Sequence, residues 1–227
     1  MLKEPTQAVW QALSHSPELD GFILIGGTAL ALHLHHRVSE DLDFAWPHPR
    51  LPRLVLKRLT SGDDSLRFTG NQDPWEQREA DDAGFELEDF SQDYLVNEQV
   101  RVTFFCPELP EQRILSGNPE TAFRIATIPE IFALKALVAA RRSKTRDWFD
   151  LYILMKDHGF RWSDFYGAFV QAGAAGMYDF AAQRLCTAKP SLRDEGYESL
   201  LPNPPEVEEM RQFFLGLRNR YERGEEG

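Results

Sequence analysis

The pattern of apolar and polar positions predicts short strands in the first half of the chain. The apolar run 22–25 ends at Gly26–Gly27, which is typical of a buried strand that enters a tight turn. Strict alternation is clearest where Val100, Val102 and Phe104 share one face. Five segments fit a strand: 22–25, 41–46, 65–69, 85–90 and 99–105.

Apolar residues recur at helical spacing at the N-terminus and through the second half of the chain. Thr127 and Glu130 form a capping-box pattern with Pro129 in the first turn, and Gly159 predicts a stop. Thr28 is expected to cap a helix over 29–36. The remaining predicted helices are 5–15, 53–60, 163–187 and 205–223.

Strands precede helices along the chain, and this order predicts an α+β architecture with a helical C-terminal part. A mixed sheet flanked by helices is expected over residues 1–115. A helical domain is expected over residues 116–227, and it would complete a functional site begun in the first domain. The length of 227 residues suits one large or two small domains.

The net charge of −11 is unevenly distributed. Residues 73–98 contain ten acidic residues and one basic residue, Arg78, and we call them the acidic segment. It is expected to be a solvated surface, with docking of a basic partner as the alternative. The remainder of the chain is nearly neutral, so the net charge does not exclude a nucleic-acid partner.

The cysteine content and the hydropathy of the chain bear on its expected cellular compartment. Cys106 and Cys186 are too few for a disulfide scaffold or a metal cluster. No stretch is long and apolar enough to span a membrane, and the N-terminus lacks a signal-peptide core. The expectation is a cytoplasmic protein with no membrane partner.

Two aspartates interrupt the strand predicted over 41–46. In a strand, Asp41 and Asp43 point to the same face, while Leu42 and Phe44 point to the core. Adjacent carboxylates repel each other, and a divalent cation removes that penalty. Mg²⁺ commonly takes one or two carboxylates together with phosphate oxygens, so the pair predicts a metal site whose other ligands come from a triphosphate.

The glycine pair before the next helix fits that chemistry. A strand that ends in Gly26–Gly27 and leads into a helix directs backbone N–H groups at an anion, and Thr28 adds a hydroxyl. The sequence lacks the G-x-G-x-x-G and G-x-x-x-x-G-K-[ST] patterns, which disfavours a dinucleotide fold and a Walker-type NTPase. The combination indicates phosphoryl or nucleotidyl transfer.

These residues resemble the DNA polymerase beta-like nucleotidyltransferase superfamily, and more closely the AbiEii-type toxins of type IV toxin–antitoxin systems. The first matching block contains Gly26, Gly27, Thr28, Arg37, Ser39, Asp41 and Asp43. The second block, IPEIFALKALVAARRSKTRDWFDLYIL, matches at Lys135, Arg146, Asp147 and Asp150. Together the blocks cover about a quarter of the chain.

The resemblance implies an enzyme that moves NMP from an NTP to a hydroxyl acceptor with Mg²⁺ or Mn²⁺. The implied acceptor is RNA, with a tRNA 3′ end preferred, and the implied partner is a cognate antitoxin of a phage-defence pair. The implied catalytic residues are Asp41, Asp43, Lys135 and Asp150, with the metal on the first two. The implied nucleotide-binding residues are Gly26, Gly27, Thr28, Arg37, Ser39, Arg146 and Asp147, Ser39 holding the loop.

The roles in the second block stay open at this point. Lys135 lies on an apolar helical face, so it either meets the triphosphate or extends its amine to water. Asp147 and Asp150 share a face, and either could be the base or a further carboxylate. Asp150 is favoured because it lies nearer the apolar side. Arg146, in a basic cluster, could steer RNA or triphosphate.

One departure from the family pattern and two other features keep other functions in view. The wider superfamily has a third carboxylate on a neighbouring strand, where this chain has Thr103. An inactive binding module of the same fold is therefore an alternative. A small-molecule transferase of the aminoglycoside-modifying kind is another, because the acidic segment could attract a cationic acceptor. His33, His35 and His36 could bind zinc only with a further ligand, which the sequence does not offer.

Overall fold

The computed structural model describes residues 2–62, 65–115, 122–187, 189–192 and 194–225. They form a mixed six-stranded sheet and ten α-helices. The strands are β1 (Ile23–Ile25), β2 (Leu42–Ala45), β3 (Phe68–Gly70), β4 (Ser91–Val96), β5 (Val100–Phe105) and β6 (Arg124–Ile125). The helices are α1 (Glu4–Leu13), α2 (Gly26–Leu34), α3 (Arg53–Ser61), α4 (Pro74–Ala83), α5 (Leu109–Leu115), α6 (Ile128–Ala139), α7 (Thr145–Asp157), α8 (Trp162–Gln171), α9 (Tyr178–Thr187) and α10 (Val207–Glu222).

The sheet has the order β3-β4-β5-β2-β1-β6, so β2 lies in its interior. β2 pairs antiparallel with β1 and parallel with β5, while β4 pairs antiparallel with β5. The α+β prediction with a mixed sheet is confirmed. None of the described helices combines the length and the apolar character that crossing a membrane requires.

The chain divides into two compact units. The first contains the residues up to His33, Val38–Glu108 and a segment that ends at Ala126. The second contains Leu34–Arg37, a segment that begins at Leu109 and the chain from Thr127 onward. The division into 1–115 and 116–227 stays a prediction.

The core of the first unit lies under one face of the sheet. Leu42 and Phe44 of β2 are fully buried, as are Val102 and Phe104 of β5. The rings of Phe44 and Phe104 stack with centroids 5.2 Å apart. These apolar positions alternate with polar ones, and the alternation places the polar side chains of β2 and β5 on the opposite face.

Three predicted elements need correction. The strand predicted over 85–90 is wrong, because residues Leu87–Asp89 form a 3₁₀ turn and β4 begins only at Ser91. The helix predicted over 163–187 is two helices, because Gly173 takes a φ of +67°, which ends α8. The helix predicted to begin at residue 29 begins at Gly26, so Thr28 lies inside it and does not cap it.

Two helices lacked an apolar stripe strong enough to be predicted. α4 has only scattered apolar residues, yet it carries terminal signals: Asp73 accepts a hydrogen bond from the Trp75 amide, and Gly84 closes the helix at a φ of +78°. α5 is a short helix that follows β5 and has Pro110 in its first turn. The capping box of Thr127 and Glu130 at α6 is confirmed.

Candidate functional site

Asp43 lies in β2 on the face of the sheet opposite the core, and Asp41 comes directly before the strand. Asp43 is opposite Ile25, the last residue of β1, in the antiparallel pairing. It is partly exposed, whereas its neighbours Leu42 and Phe44 are fully buried. The strand therefore presents the carboxylates where β1 ends and α2 begins.

Gly26 fits against the Asp43 carboxylate because it has no side chain. Its φ is +76°, in the left-handed region that residues with a Cβ rarely adopt. A Cβ built at Gly26 would lie 2.9 Å from Asp43 Oδ2. The glycine thus permits both the tight turn from β1 into α2 and the close approach of backbone to carboxylate.

We expect Gly26→Ala to destabilise the protein by more than the backbone conformation alone would cost. Gly84→Ala is the matched control, because Gly84 has nearly the same φ of +78° and nothing lies within 4 Å of its Cβ position. Left-handed strain costs about 1–2 kcal/mol in both variants. Gly26→Ala adds the collision with Asp43, and urea unfolding of both variants measures the difference. Equal losses would show that the contact with Asp43 is unimportant.

Thr28 holds the loop that precedes β2. Its buried hydroxyl donates to the carbonyl oxygen of Asp41, and it lies 2.8 Å from Ser39 Oγ. Ser39 is also buried, and its neighbour Glu40 accepts a hydrogen bond from Thr6 through its carbonyl oxygen. The Thr28 side chain fixes the position of Asp41, and the backbone at the start of α2 is left as the anion-binding part of the predicted site.

The second unit contains a buried cluster around Asp150. Arg37 binds this carboxylate in a bidentate manner, with Nε 2.7 Å from Oδ1 and Nη2 2.8 Å from Oδ2. His36 Nε2 lies 2.8 Å from Oδ1, and Lys135 Nζ lies 2.8 Å from Oδ2. The Asp150 side chain is 0% exposed. Both carboxylate oxygens are therefore already occupied by donors from this chain.

The charges in this cluster stabilise one another. Burial acts to raise the pKa of Asp150, but Lys135 and Arg37 outweigh it and hold that pKa well below its ordinary value. Burial acts to lower the pKa of Lys135, but Asp147 and Asp150 raise it above its ordinary value. The ionised forms of Asp150 and Lys135 are thus favoured in the folded protein.

Asp147 is bound on two sides within the same cluster. Lys135 Nζ lies 2.7 Å from its Oδ1, and Arg142 Nε lies 2.8 Å from its Oδ2. These partners outweigh the effect of burial and lower the pKa of Asp147. Arg146 points elsewhere and pairs with Glu195.

The predicted site residues thus fall into two groups, and each group lies in one unit. The first unit holds Gly26, Gly27, Thr28, Ser39, Asp41 and Asp43. The second unit holds Arg37, Lys135, Arg146, Asp147 and Asp150. Two of the histidines also have separate partners: His33 Nε2 lies 2.8 Å from the Ala126 carbonyl oxygen, and His36 contacts Asp150.

β4 and β5 add charged residues that the sequence analysis did not assign to the site. Thr103 of β5 pairs with Asp43 on one side and with Asp93 of β4 on the other. The Thr103 hydroxyl donates to Asp93 Oδ1, and Arg101 Nη2 lies 3.3 Å from the same oxygen. Alternation along 99–105 predicts that Arg101 and Thr103 share one face, but the sequence pattern identifies Asp93 only as a member of the acidic segment.

Comparison with known proteins identifies the family of this chain. The family profile described as nucleotidyl transferase AbiEii toxin, type IV TA system, matches residues 8–214. An uncharacterised protein of Aquifex aeolicus (strain VF5) is 27% identical over 139 residues, which are 61% of this chain. The chain spans 59% of the length of that curated relative.

Two solved structures share the fold. JHP933 from Helicobacter pylori is 20% identical, with a TM-score of 0.52 over 100% of this chain and 95% of that one. MenT4, the nucleotidyltransferase toxin Rv2826c of Mycobacterium tuberculosis H37Rv, is 16% identical, with a TM-score of 0.56 over 92% of this chain and 79% of that one. Because the profile match covers most of the chain, the protein belongs to the AbiEii nucleotidyl transferase toxin family of type IV toxin–antitoxin systems.

Proposed function

We propose that the protein transfers NMP from an NTP to a hydroxyl of an RNA acceptor, with a tRNA 3′ end preferred, and that it acts as the toxin of a phage-defence toxin–antitoxin pair. The observation that carries the proposal is the packing of Gly26 against Asp43, which brings a helix N-terminus and a carboxylate together. Family membership supports the NTP substrate, a divalent metal and an antitoxin partner.

The donor set of the first unit fits a hard divalent cation. Asp41, directly before β2, and Asp43, within β2, both offer carboxylate oxygens, and oxygen ligands of this kind suit Mg²⁺ or Mn²⁺. Within the described ranges, no three His, Cys, Asp or Glu side chains are grouped so that they could hold a metal ion. Asp41 and Asp43 would therefore hold the ion with help from phosphate oxygens and water, as is common for Mg²⁺.

The chain's own groups then bind and orient the nucleotide. The first N–H groups of α2, at Gly26 and Gly27, have no partner within the helix and favour a phosphate group. The hydrogen bond from Thr28 to the Asp41 carbonyl keeps the strand in register with this turn. A divalent cation at Asp41 and Asp43 would stabilise the charge that develops on the α-phosphate during transfer.

We propose that Asp150 is a positioning residue for Arg37 and Lys135 and does not serve as the base. A base must accept a proton, but Asp150 is buried, its pKa is lowered and both its oxygens already accept hydrogen bonds. Arg37 and Lys135 keep their charges in this setting and suit triphosphate neutralisation. Asp147 holds Lys135 in the same way.

Incubation with total tRNA, Mg²⁺ and each labelled NTP in turn tests the proposal. We expect one NTP to label the RNA, and no label with the double variant Asp41→Ala/Asp43→Ala. Label on an aminoglycoside but not on RNA would instead support a small-molecule transferase. Nucleotide binding without transfer to either acceptor would support the inactive binding module.

A further inference from the structure

The face of the sheet that carries Asp43 also carries an arginine from β5. Val100 and Val102 are buried on the core face, so Arg101 between them points to the opposite face. Leu42 pairs with Val102 and Asp43 with Thr103 in the parallel register. Arg101 is one residue before this pairing, and both Asp43 and Asp41 act electrostatically on it.

Asp93 anchors this arginine from the far side. Its carboxylate is 5% exposed and accepts hydrogen bonds from Thr103 and Arg101, whereas the Arg101 side chain is 55% exposed. Burial acts to lower the pKa of Arg101, but Asp93, and with it Asp43 and Asp41, raises it. Arg101 therefore stays cationic, fixed at one edge and open to solvent, next to the proposed metal ligands.

We propose that Arg101, held by Asp93, is a phosphate-binding residue of the site formed by Asp41 and Asp43. A guanidinium has five N–H donors in a planar fork that matches phosphate oxygens, and Asp93 contacts it through one nitrogen at 3.3 Å. The phosphate belongs either to the NTP or to the backbone of the RNA acceptor. The inference rests on the proposed function, because it assigns a further residue to the same site.

Steady-state kinetics on Arg101→Ala tests the inference. We expect the KM for the NTP to rise by about 10- to 100-fold, the range for loss of a charged hydrogen bond. Arg101→Lys should recover part of the loss, because it keeps the charge but not the fork. A rise in the KM for RNA alone would assign the phosphate to the acceptor. No change in either KM would overturn the proposal.

Asp93→Asn separates positioning from a direct role. Asp93→Asn should raise the same KM as Arg101→Ala, but by a smaller factor. In the Arg101→Ala background it should cause no further rise in that KM. The matched control for Arg101→Ala is Arg50→Ala. Arg50 is an exposed arginine that pairs with Asp89 beyond the other end of β2. Additive effects of Asp93→Asn and Arg101→Ala would contradict the anchoring role.

A binding measurement keeps this inference distinct from the proposed function. Calorimetric titration of the protein with inorganic tripolyphosphate, in the presence of Mg²⁺, reports phosphate binding without any transfer. If the wild type binds but transfers no nucleotide, the proposed function fails, and weaker binding by Arg101→Ala still supports the inference. If the wild type transfers nucleotide and Arg101→Ala binds and reacts normally, the inference alone fails. Absence of both tripolyphosphate binding and nucleotide transfer in the wild type would overturn both.

Discussion

Replacing Asp43 by asparagine is expected to reduce the rate of nucleotidyl transfer by about a thousandfold. The amide keeps the size of the side chain, so its contact with Gly26 can persist, but the charge that would bind a divalent cation is lost. The Tm should change little, because the relief of repulsion between Asp41 and Asp43 is offset by the loss of the attraction between Asp43 and Arg101. Transfer of labelled NMP to tRNA under single-turnover conditions measures the effect.

Asp81→Asn provides the matched control for this change. Asp81 lies in the acidic segment on α4, where its carboxylate accepts a hydrogen bond from the Gln77 side chain at 2.9 Å on the exposed surface. The same chemical change there should alter neither the rate nor the Tm. If Asp43→Asn retained transfer within a few fold of the wild type, Asp43 would not be a metal ligand, and the assignment of the site to this strand would be wrong.

The parts of the fold and site that lie close together along the chain could be predicted from the sequence. The burial of Leu42 and Phe44, with Asp43 on the other face, follows from strand alternation. The position of the turn follows from Gly26, because only glycine combines a φ of +76° with close approach to a carboxylate. Local patterns carry this information without any knowledge of tertiary contacts.

The partners of the charged residues could not be predicted, because they depend on pairings between distant segments. Arg37 and Asp150 are 113 positions apart, and only the fold brings them together. Asp93 lies in a run of acidic residues that resembles a solvated surface. Its pairing with Thr103 depends on the register of β4 with β5, which a sequence pattern does not specify. The sequence therefore indicated the chemistry of the site better than the arrangement of its charges.

Replacing Asp150 by asparagine is expected to lower the free energy of unfolding by about 3–5 kcal/mol, the usual cost of removing one partner from a buried ion pair. Arg37 and Lys135 would keep their charges in surroundings where their side chains are 4% and 8% exposed. An amide cannot accept two hydrogen bonds from Arg37 and also neutralise Lys135. Urea unfolding with linear extrapolation measures the loss.

Asp157→Asn, at the exposed end of α7, is the control and should change the free energy of unfolding little. If the Asp150 variant does not fold, the pH dependence of the unfolding free energy of the wild type is the second test. Because the pKa of Asp150 is lowered on folding, its contribution is present above the unfolded-state pKa and is lost as the pH falls through the lower folded-state pKa. One result would contradict the positioning role: Asp150→Asn keeps full stability, loses transfer, and also loses the limb of the pH–rate profile that reports the base. Asp150 would then be the base.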